Sequence, residues 1–183
     1  MKIATIGRGN IGGGLAKKWR AAGHDVTELG KEGGDVSDAE VVLLAVPLAA
    51  VEDALGKVQG LEGKTVLDAT NVVGGERPGG ADSVAEYVKS RTNGPTAKVF
   101  NLNFARLYDR LEEASRTPSN IWSGDEEARA AAEQLSRDAG YEPVNAGGLE
   151  NARTQEDAIK LIFAINQGGL GPFLYRMAPP DQV

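Results

Sequence analysis

The sequence contains no cysteine, which excludes disulfides, thiolate-held metals and a cysteine nucleophile. Positive charge is in deficit. Lys and Arg total 20 against 26 Asp and Glu, for a formal net charge of −6. The cations are scattered among acids, so no basic stripe exists to displace counterions from nucleic acid, and no such partner is expected. Long apolar runs are missing too. None reaches the length that spans a bilayer, and the few residues between Lys2 and the first glycine are too short for the apolar core of a signal peptide. The expectation is a cytoplasmic protein with no membrane partner. The remainder is ordinary: 183 residues, 41% hydrophobic and 25% charged, enough for one core and a small appendage.

Apolar periodicity places strands and helices in alternation. Lys2–Ile6 reads as a short buried strand. Residues 10–22 read as a helix with Ile11, Leu15 and Trp19 on one face, ended by Gly23. A second strand is expected over 25–29. Residues 30–40, "GKEGGDVSDAE", read as a loop. "VVLLAV" (41–46) has no alternation, as befits a strand buried on both faces. A helix over 48–58, a strand over 64–69, a long loop over 71–80, a helix over 82–91 and a strand over 97–102 follow. Residues 103–117 are mixed. A strand is expected at 119–124, then a helix capped by Asp125 and running to Ala139, then a strand at 141–146. The end of the chain carries one apolar helix, a glycine break and a short apolar segment. Such alternation argues for a mostly parallel sheet covered on both faces.

Gly7-Arg8-Gly9-Asn10-Ile11-Gly12 matches G-x-G-x-x-G between a strand and a helix, the context that makes the motif a dinucleotide cradle. Gly7 permits the tight turn, Gly9 admits a pyrophosphate, and Gly12 lets helix and strand pack closely. The helix N-terminus offers free N–H groups to the phosphates. Gly13 and Gly14 exceed the motif and weaken the helix start by about 1 kcal/mol each. Either the backbone is approached closely there or the positions are unoptimised. The fold class that follows is α/β: a Rossmann-like, doubly wound, mostly parallel sheet. Between the second strand and "VVLLAV" only a loop fits, where a crossover usually carries a helix and a further strand. The first half of the sheet is read as trimmed. The expected division is a dinucleotide-binding domain over 1–147 and a small helical segment over 148–183.

The end of the second strand decides between NAD and NADP. An acid there would bind the ribose 2′-hydroxyl. Leu29 and Gly30 occupy that place and Lys31 follows, a cation suited to a 2′-phosphate. Arg8 is a second candidate phosphate partner. Glu28 and Glu32 flank the site, and a one-residue shift would reverse the reading; local charge favours NADP.

Ligands of such sheets bind at the carboxyl ends of the strands. His24, the sole histidine, lies in the turn at the opposite end and is read as structural. Pro47, Thr70, Asn71, Asn101, Asn103 and Ser123 follow strands, and none is a strong acid or base. Thr70, Asn71, Asn101 and Asn103 either cap turns or hydrogen-bond a carboxamide or ring carbonyl. Asp68 is assigned to turn capping. No catalytic acid or base and no metal site is expected, a pattern that suits hydride exchange between two cofactors. Arg106 and Arg110 share a helical face and either attract an acidic tail or pair with Asp109, Glu112 and Glu113. Ile159, Ile162, Phe163 and Ile165 exceed a single stripe, which implies packing on the sheet or a dimer contact. Gly168, Gly169 and Gly171 let the chain bend near the crevice.

"IGRGNIGGGLAKKWRAAGHDV", "AVPLAAV" (45–51), "VNAGGLENAR" (144–153) and "GPFLYR" (171–176) together resemble the NADPH-dependent reductases of the deazaflavin coenzyme F-420, in their shorter form. The resemblance spans nearly the whole chain. It implies a Rossmann domain with a small helical C-terminal part, a homodimer, NADP as cofactor and the deazaflavin as co-substrate. It also implies that Gly7 to Gly12 hold the pyrophosphate, that Gly30 and Lys31 take the 2′-phosphate, and that Ala45, Val46 and Pro47 pass beside the nicotinamide ribose. Two other readings suit the same residues: an NADPH reductase of a flavin, quinone or ferric chelate, and a non-catalytic NADP(H) redox sensor.

Overall fold

A computed structural model describes residues 1–182. Nine strands and five α-helices follow in chain order: β1 (Lys2–Ile6), α1 (Asn10–Ala21), β2 (Asp25–Leu29), β3 (Gly34–Asp35), β4 (Val41–Leu44), α2 (Val51–Gly56), β5 (Val58–Gln59), β6 (Thr65–Asp68), α3 (Val84–Thr92), β7 (Thr96–Val99), β8 (Ser119–Gly124), α4 (Arg129–Asp138), β9 (Glu142–Asn145) and α5 (Ala152–Ile165). Seven strands form one sheet in the order β2-β1-β4-β6-β7-β8-β9. All its neighbours run parallel except β7 and β8. The molecule is therefore a Rossmann-like, mostly parallel α/β fold.

The strands sort their side chains by parity. In β4, Val41 and Leu43 enter one core with Leu15, Trp19, Phe100, Trp122 and Leu135. Val42 and Leu44 enter the other with Val51, Leu55, Val84 and Val88. An unalternating apolar run is what burial on both faces demands. The first core is clamped by Trp19, whose Nε1 donates to the Leu135 carbonyl at 2.9 Å and ties α1 to α4. The ring of Trp19 meets that of Phe100 edge-on at 5.8 Å.

The shortened first half is visible directly. β2 ends the sheet on that side. Residues 30–40 are not wholly irregular: Gly34 and Asp35 pair with Val58 and Gln59 of β5 in a separate two-stranded ribbon. Val36 and Ala39 are drawn into the second core. The helix expected over 48–58 is thus shortened at both ends: Leu48–Ala50 form a 3₁₀ turn, and Val58 is recruited into β5.

Three further expectations change. Asp125 does not cap a helix with its side chain; the carboxylate accepts from the Thr96 N–H at 2.9 Å and from Lys89 Nζ at 2.6 Å. A 3₁₀ turn over Glu126–Ala128 intervenes before α4. The strand expected over 97–102 stops at Val99, since Phe100 turns to φ +63°. Residues 105–113 form 3₁₀ turns against α1.

α5 lies over β7, β8 and α3. It ends in a π turn, Asn166–Leu170, broken at Gly169 with φ +113°. The following tail crosses the start of β8, where the Ser119 N–H donates to the Tyr175 carbonyl at 2.8 Å. Phe173 of the tail meets Phe104 edge-on at 5.6 Å. No helix among the described residues is long and apolar enough to cross a membrane.

Candidate functional site

The chain leaves β1, runs outward to β2 and returns across β1 to β4. A crevice opens where the strand order reverses, at the carboxyl ends of β1 and β4. An open cleft of about 400 Å³ lies there, lined by Gly9, Asn10, Ile11, Ala45, Val46, Pro47, Leu48, Ala69, Thr70, Asn71 and Val73. Every lining side chain is neutral.

Each motif glycine meets a different constraint. Gly7 has φ +103°, and a Cβ there would strike the Ala45 carbonyl. Its N–H donates to the Leu29 carbonyl at 3.0 Å, binding the loop to the end of β2. A Cβ on Gly12 would collide with the Gly7 carbonyl, so α1 packs on β1 only with glycine there. A Cβ on Gly9 would meet nothing within 4 Å. The space above Gly9 is open to a ligand and is not needed for packing. Gly14 is closely approached as well: a Cβ would sit 2.6 Å from the Tyr108 ring. Gly9 is the N-cap of α1, with no side-chain cap and no acid in the first turn. The first N–H groups of α1 are therefore left for an anion, with the helix dipole behind them.

At the end of β2, Arg8 reaches across from the glycine loop. Its guanidinium stands 3.7 Å from the Glu32 carboxylate, both exposed, and a Cβ on Gly30 would lie 2.8 Å from Arg8 Nη2. Lys31 is exposed beside them. Glu28 is engaged by Arg20 at 2.6 Å. Arg8, Gly30 and Lys31 thus share one corner, some way along the crevice from Thr70 and Asn71.

Thr70 and Asn71 line the cleft; Asn101 and Asn103 do not. Asn101 is buried behind Asn71, its Nδ2 3.3 Å from Asn71 Oδ1. Asn103 is held away from the cleft, donating to Asn120 Oδ1 at 2.9 Å. Ser123 is buried and donates to Gln155 at 2.9 Å. His24 sits at the far end of the sheet, 2.8 Å from the Asp138 carboxylate and 3.2 Å from the amino terminus. Arg110 pairs with Glu113 at 2.7 Å and Asp109 with Lys17 at 2.6 Å. Arg106 lies over the Phe104 ring at 5.4 Å and reaches Asn166.

Beneath the cleft is a charged cluster that sequence reasoning missed. Lys98, Asp68 and Glu156 have fully buried side chains. Lys98 Nζ lies 2.8 Å from Asp68 Oδ2 and 3.1 Å from Glu156 Oε1. Glu156 also accepts from Arg77 Nε at 2.9 Å and from the Val84 N–H at 2.8 Å. Asp68 makes the expected turn, accepting from the Thr70 N–H at 2.9 Å. A signal existed: Asp68 closes the buried strand β6 and Lys98 lies inside the buried strand β7, and buried charges come in pairs. Among the described residues no cluster of His, Asp and Glu suited to a metal ion is present.

The chain matches no protein-family model and no curated protein sequence. Solved structures do match. A provisionally assigned coenzyme F-420-dependent NADP reductase from Arthrobacter sp. FB24 superposes with a TM-score of 0.77 at 22% identity, covering 98% of this chain and 100% of that one. An imine reductase from Pseudomonas sp. gives a TM-score of 0.63 at 15% identity, covering 88% of this chain but only 61% of the longer protein. The 3-hydroxyisobutyrate dehydrogenase of Mycobacterium tuberculosis gives 0.59 at 14% identity, covering 94% of this chain and 72% of that one. At these identities the likeness is one of fold, and the fold is the Rossmann-like sheet described above.

Proposed function

We propose that this protein is an NADP(H)-dependent oxidoreductase that exchanges hydride with a deazaflavin such as coenzyme F-420. The observation that carries the reading is the uncapped N-terminus of α1 under an open Gly9, at the point where the strand order reverses. The residues present fit a dinucleotide. Gly7 to Gly12 would hold the pyrophosphate on backbone N–H groups, and Arg8, Gly30 and Lys31 would surround the 2′-phosphate. Ala45, Val46 and Pro47 would flank the nicotinamide ribose, with Thr70 and Asn71 at the ring end. When bound, the reduced nicotinamide supplies a hydride. The chain's part is to orient it and exclude water, since no lining side chain can carry a proton. A neutral site suits transfer between two cofactors better than oxidation of an alcohol. The structural neighbour from Arthrobacter, similar over its full length, supports this choice of acceptor.

The exposed apolar residues of the C-terminal segment, Leu161, Ile165 and Leu170, belong to this reading as the contact of a homodimer. The neutral cleft equally favours a second reading, a redox sensor that binds NADP(H) without turnover. The test is spectrophotometric: purified protein, NADPH and oxidised coenzyme F-420, followed in both absorbance bands. Coupled loss of both bands supports the reductase. NADPH binding with no change in either band, at high protein, overturns it in favour of the sensor. Turnover only with a free flavin, a quinone or a ferric chelate reassigns the acceptor.

A further inference from the structure

Two buried hydrogen-bond chains run to Thr70 and Asn71, both of which line the cleft although Thr70 is only 2% exposed, and each arrives with its direction fixed. The first comes through the charged cluster. Thr70 Oγ1 lies 3.2 Å from Lys98 Nζ and 2.7 Å from Asp68 Oδ1. An ammonium has no lone pair, so Thr70 accepts from Lys98; a carboxylate has no proton, so Thr70 donates to Asp68. The one hydroxyl proton is committed. What Thr70 still has to offer is a lone pair.

The second chain comes from α5. Gln155 Nε2 donates to the Ile121 carbonyl at 3.0 Å, to the Lys98 carbonyl at 3.3 Å and to Asn101 Oδ1 at 2.8 Å. Two backbone carbonyls leave no choice as to which end of that amide is nitrogen. Asn101 Nδ2 in turn donates to the Gln155 carbonyl and to Asn71 Oδ1, both at 3.3 Å. Asn71 Oδ1 is thereby an acceptor facing inward. Its Nδ2 has no protein acceptor among the described residues, and Asn71 lines the cleft. Asn71 offers a donor.

We propose that Thr70 and Asn71 together read a primary carboxamide, the side group of the nicotinamide ring, with the amide N–H donating to Thr70 Oγ1 and the amide oxygen accepting from Asn71 Nδ2. The proposal rests on the dinucleotide reading above and assigns the recognition to two adjacent side chains. A carboxamide carries a donor and an acceptor side by side. An acetyl group in the same place sets a methyl against the Thr70 lone pair and leaves it without a donor, and a carboxylate sets a second acceptor against it. The sense of the pair cannot be reversed by rotation, because ions and backbone carbonyls set it from behind. Asp68, Lys98, Asn101 and Gln155 are positioning residues in this scheme.

The test is equilibrium binding to the whole protein by calorimetry. The probes are NADP, the analogue bearing an acetyl group in place of the carboxamide, ADP-ribose and 2′-phospho-ADP-ribose. Wild type is expected to bind the acetyl analogue about tenfold more weakly than NADP. In Thr70→Val that gap closes to within about twofold. In Asn71→Asp both ligands weaken alike and the gap persists, because each keeps its carbonyl oxygen. Affinity for 2′-phospho-ADP-ribose, which has no ring, stays at the wild-type level in both variants. Equal wild-type affinities for NADP and the acetyl analogue overturn the proposal, as does a tenfold gap that survives in Thr70→Val. Should a variant lose 2′-phospho-ADP-ribose, the wild-type comparison alone decides. If wild type binds neither ADP-ribose nor its 2′-phosphate, the dinucleotide reading itself fails, and this one with it.

Discussion

Gly9 and Gly12 are three residues apart in one motif, and the structure separates their roles. Gly9→Ala adds a methyl group to empty space at a φ of −81°, which alanine adopts freely. Its melting temperature is expected to match wild type, while affinity for NADP falls by about tenfold or more, or ~1.4 kcal/mol. Gly12→Ala must push the Gly7 carbonyl away and is expected to cost about 1–3 kcal/mol in denaturant unfolding. Lys31→Asp is expected to weaken NADP far more than NAD, read by titration with each; equal losses would remove Lys31 from the 2′-phosphate site. The glycine motif was legible in the sequence because a turn and the helix start it opens are local events. The partners of Arg8 were not, since the side chain of Glu32 reaches it only after residues 30–33 have turned back.

Among the elements, β6, β7 and α5 owe their mutual placement to charge as much as to apolar contact. Lys98→Met leaves Asp68 and Glu156 buried without their shared cation. Unfolding experiments are expected to show a loss of about 3–5 kcal/mol, well beyond the price of an exposed lysine. The strands were legible from apolar runs because a parallel sheet with two covered faces leaves little room for anything else. Their ends were less so. β7 stops at Phe100, whose left-handed backbone has no sequence signature, and Asp125 is diverted from a helix cap by the Thr96 N–H across a turn. The Lys98 cluster draws on β6, β7, α5 and the loop bearing Arg77, and no single window of sequence contains it.

Taken whole, the molecule is a Rossmann-like sheet shortened at one edge, with α5 packed over β7 and β8 towards the other and the tail crossing the start of β8. Apart from Met1 and Val73, the large exposed apolar side chains among the described residues belong to α5 and the tail: Leu161 is 62% exposed and Leu170 65%. If a second copy covers them, Leu161→Asp combined with Leu170→Asp is expected to yield a monomer in light scattering, with the cleft still able to bind NADP. An unchanged mass would place any dimer contact elsewhere. α5 also bears on how the protein is made. Ribosomes deliver the chain from its amino end, so Asp68, Arg77, Lys98 and Asn101 emerge before Gln155 and Glu156. Until α5 arrives, Lys98 lacks one of its two carboxylates and Asn101 has no amide to fix its sense. A nascent chain can wind its glycine loop early, but the far wall of the groove stays unset until synthesis has passed residue 156. On the proposed function, loading of the dinucleotide is thereby postponed to a late moment in translation.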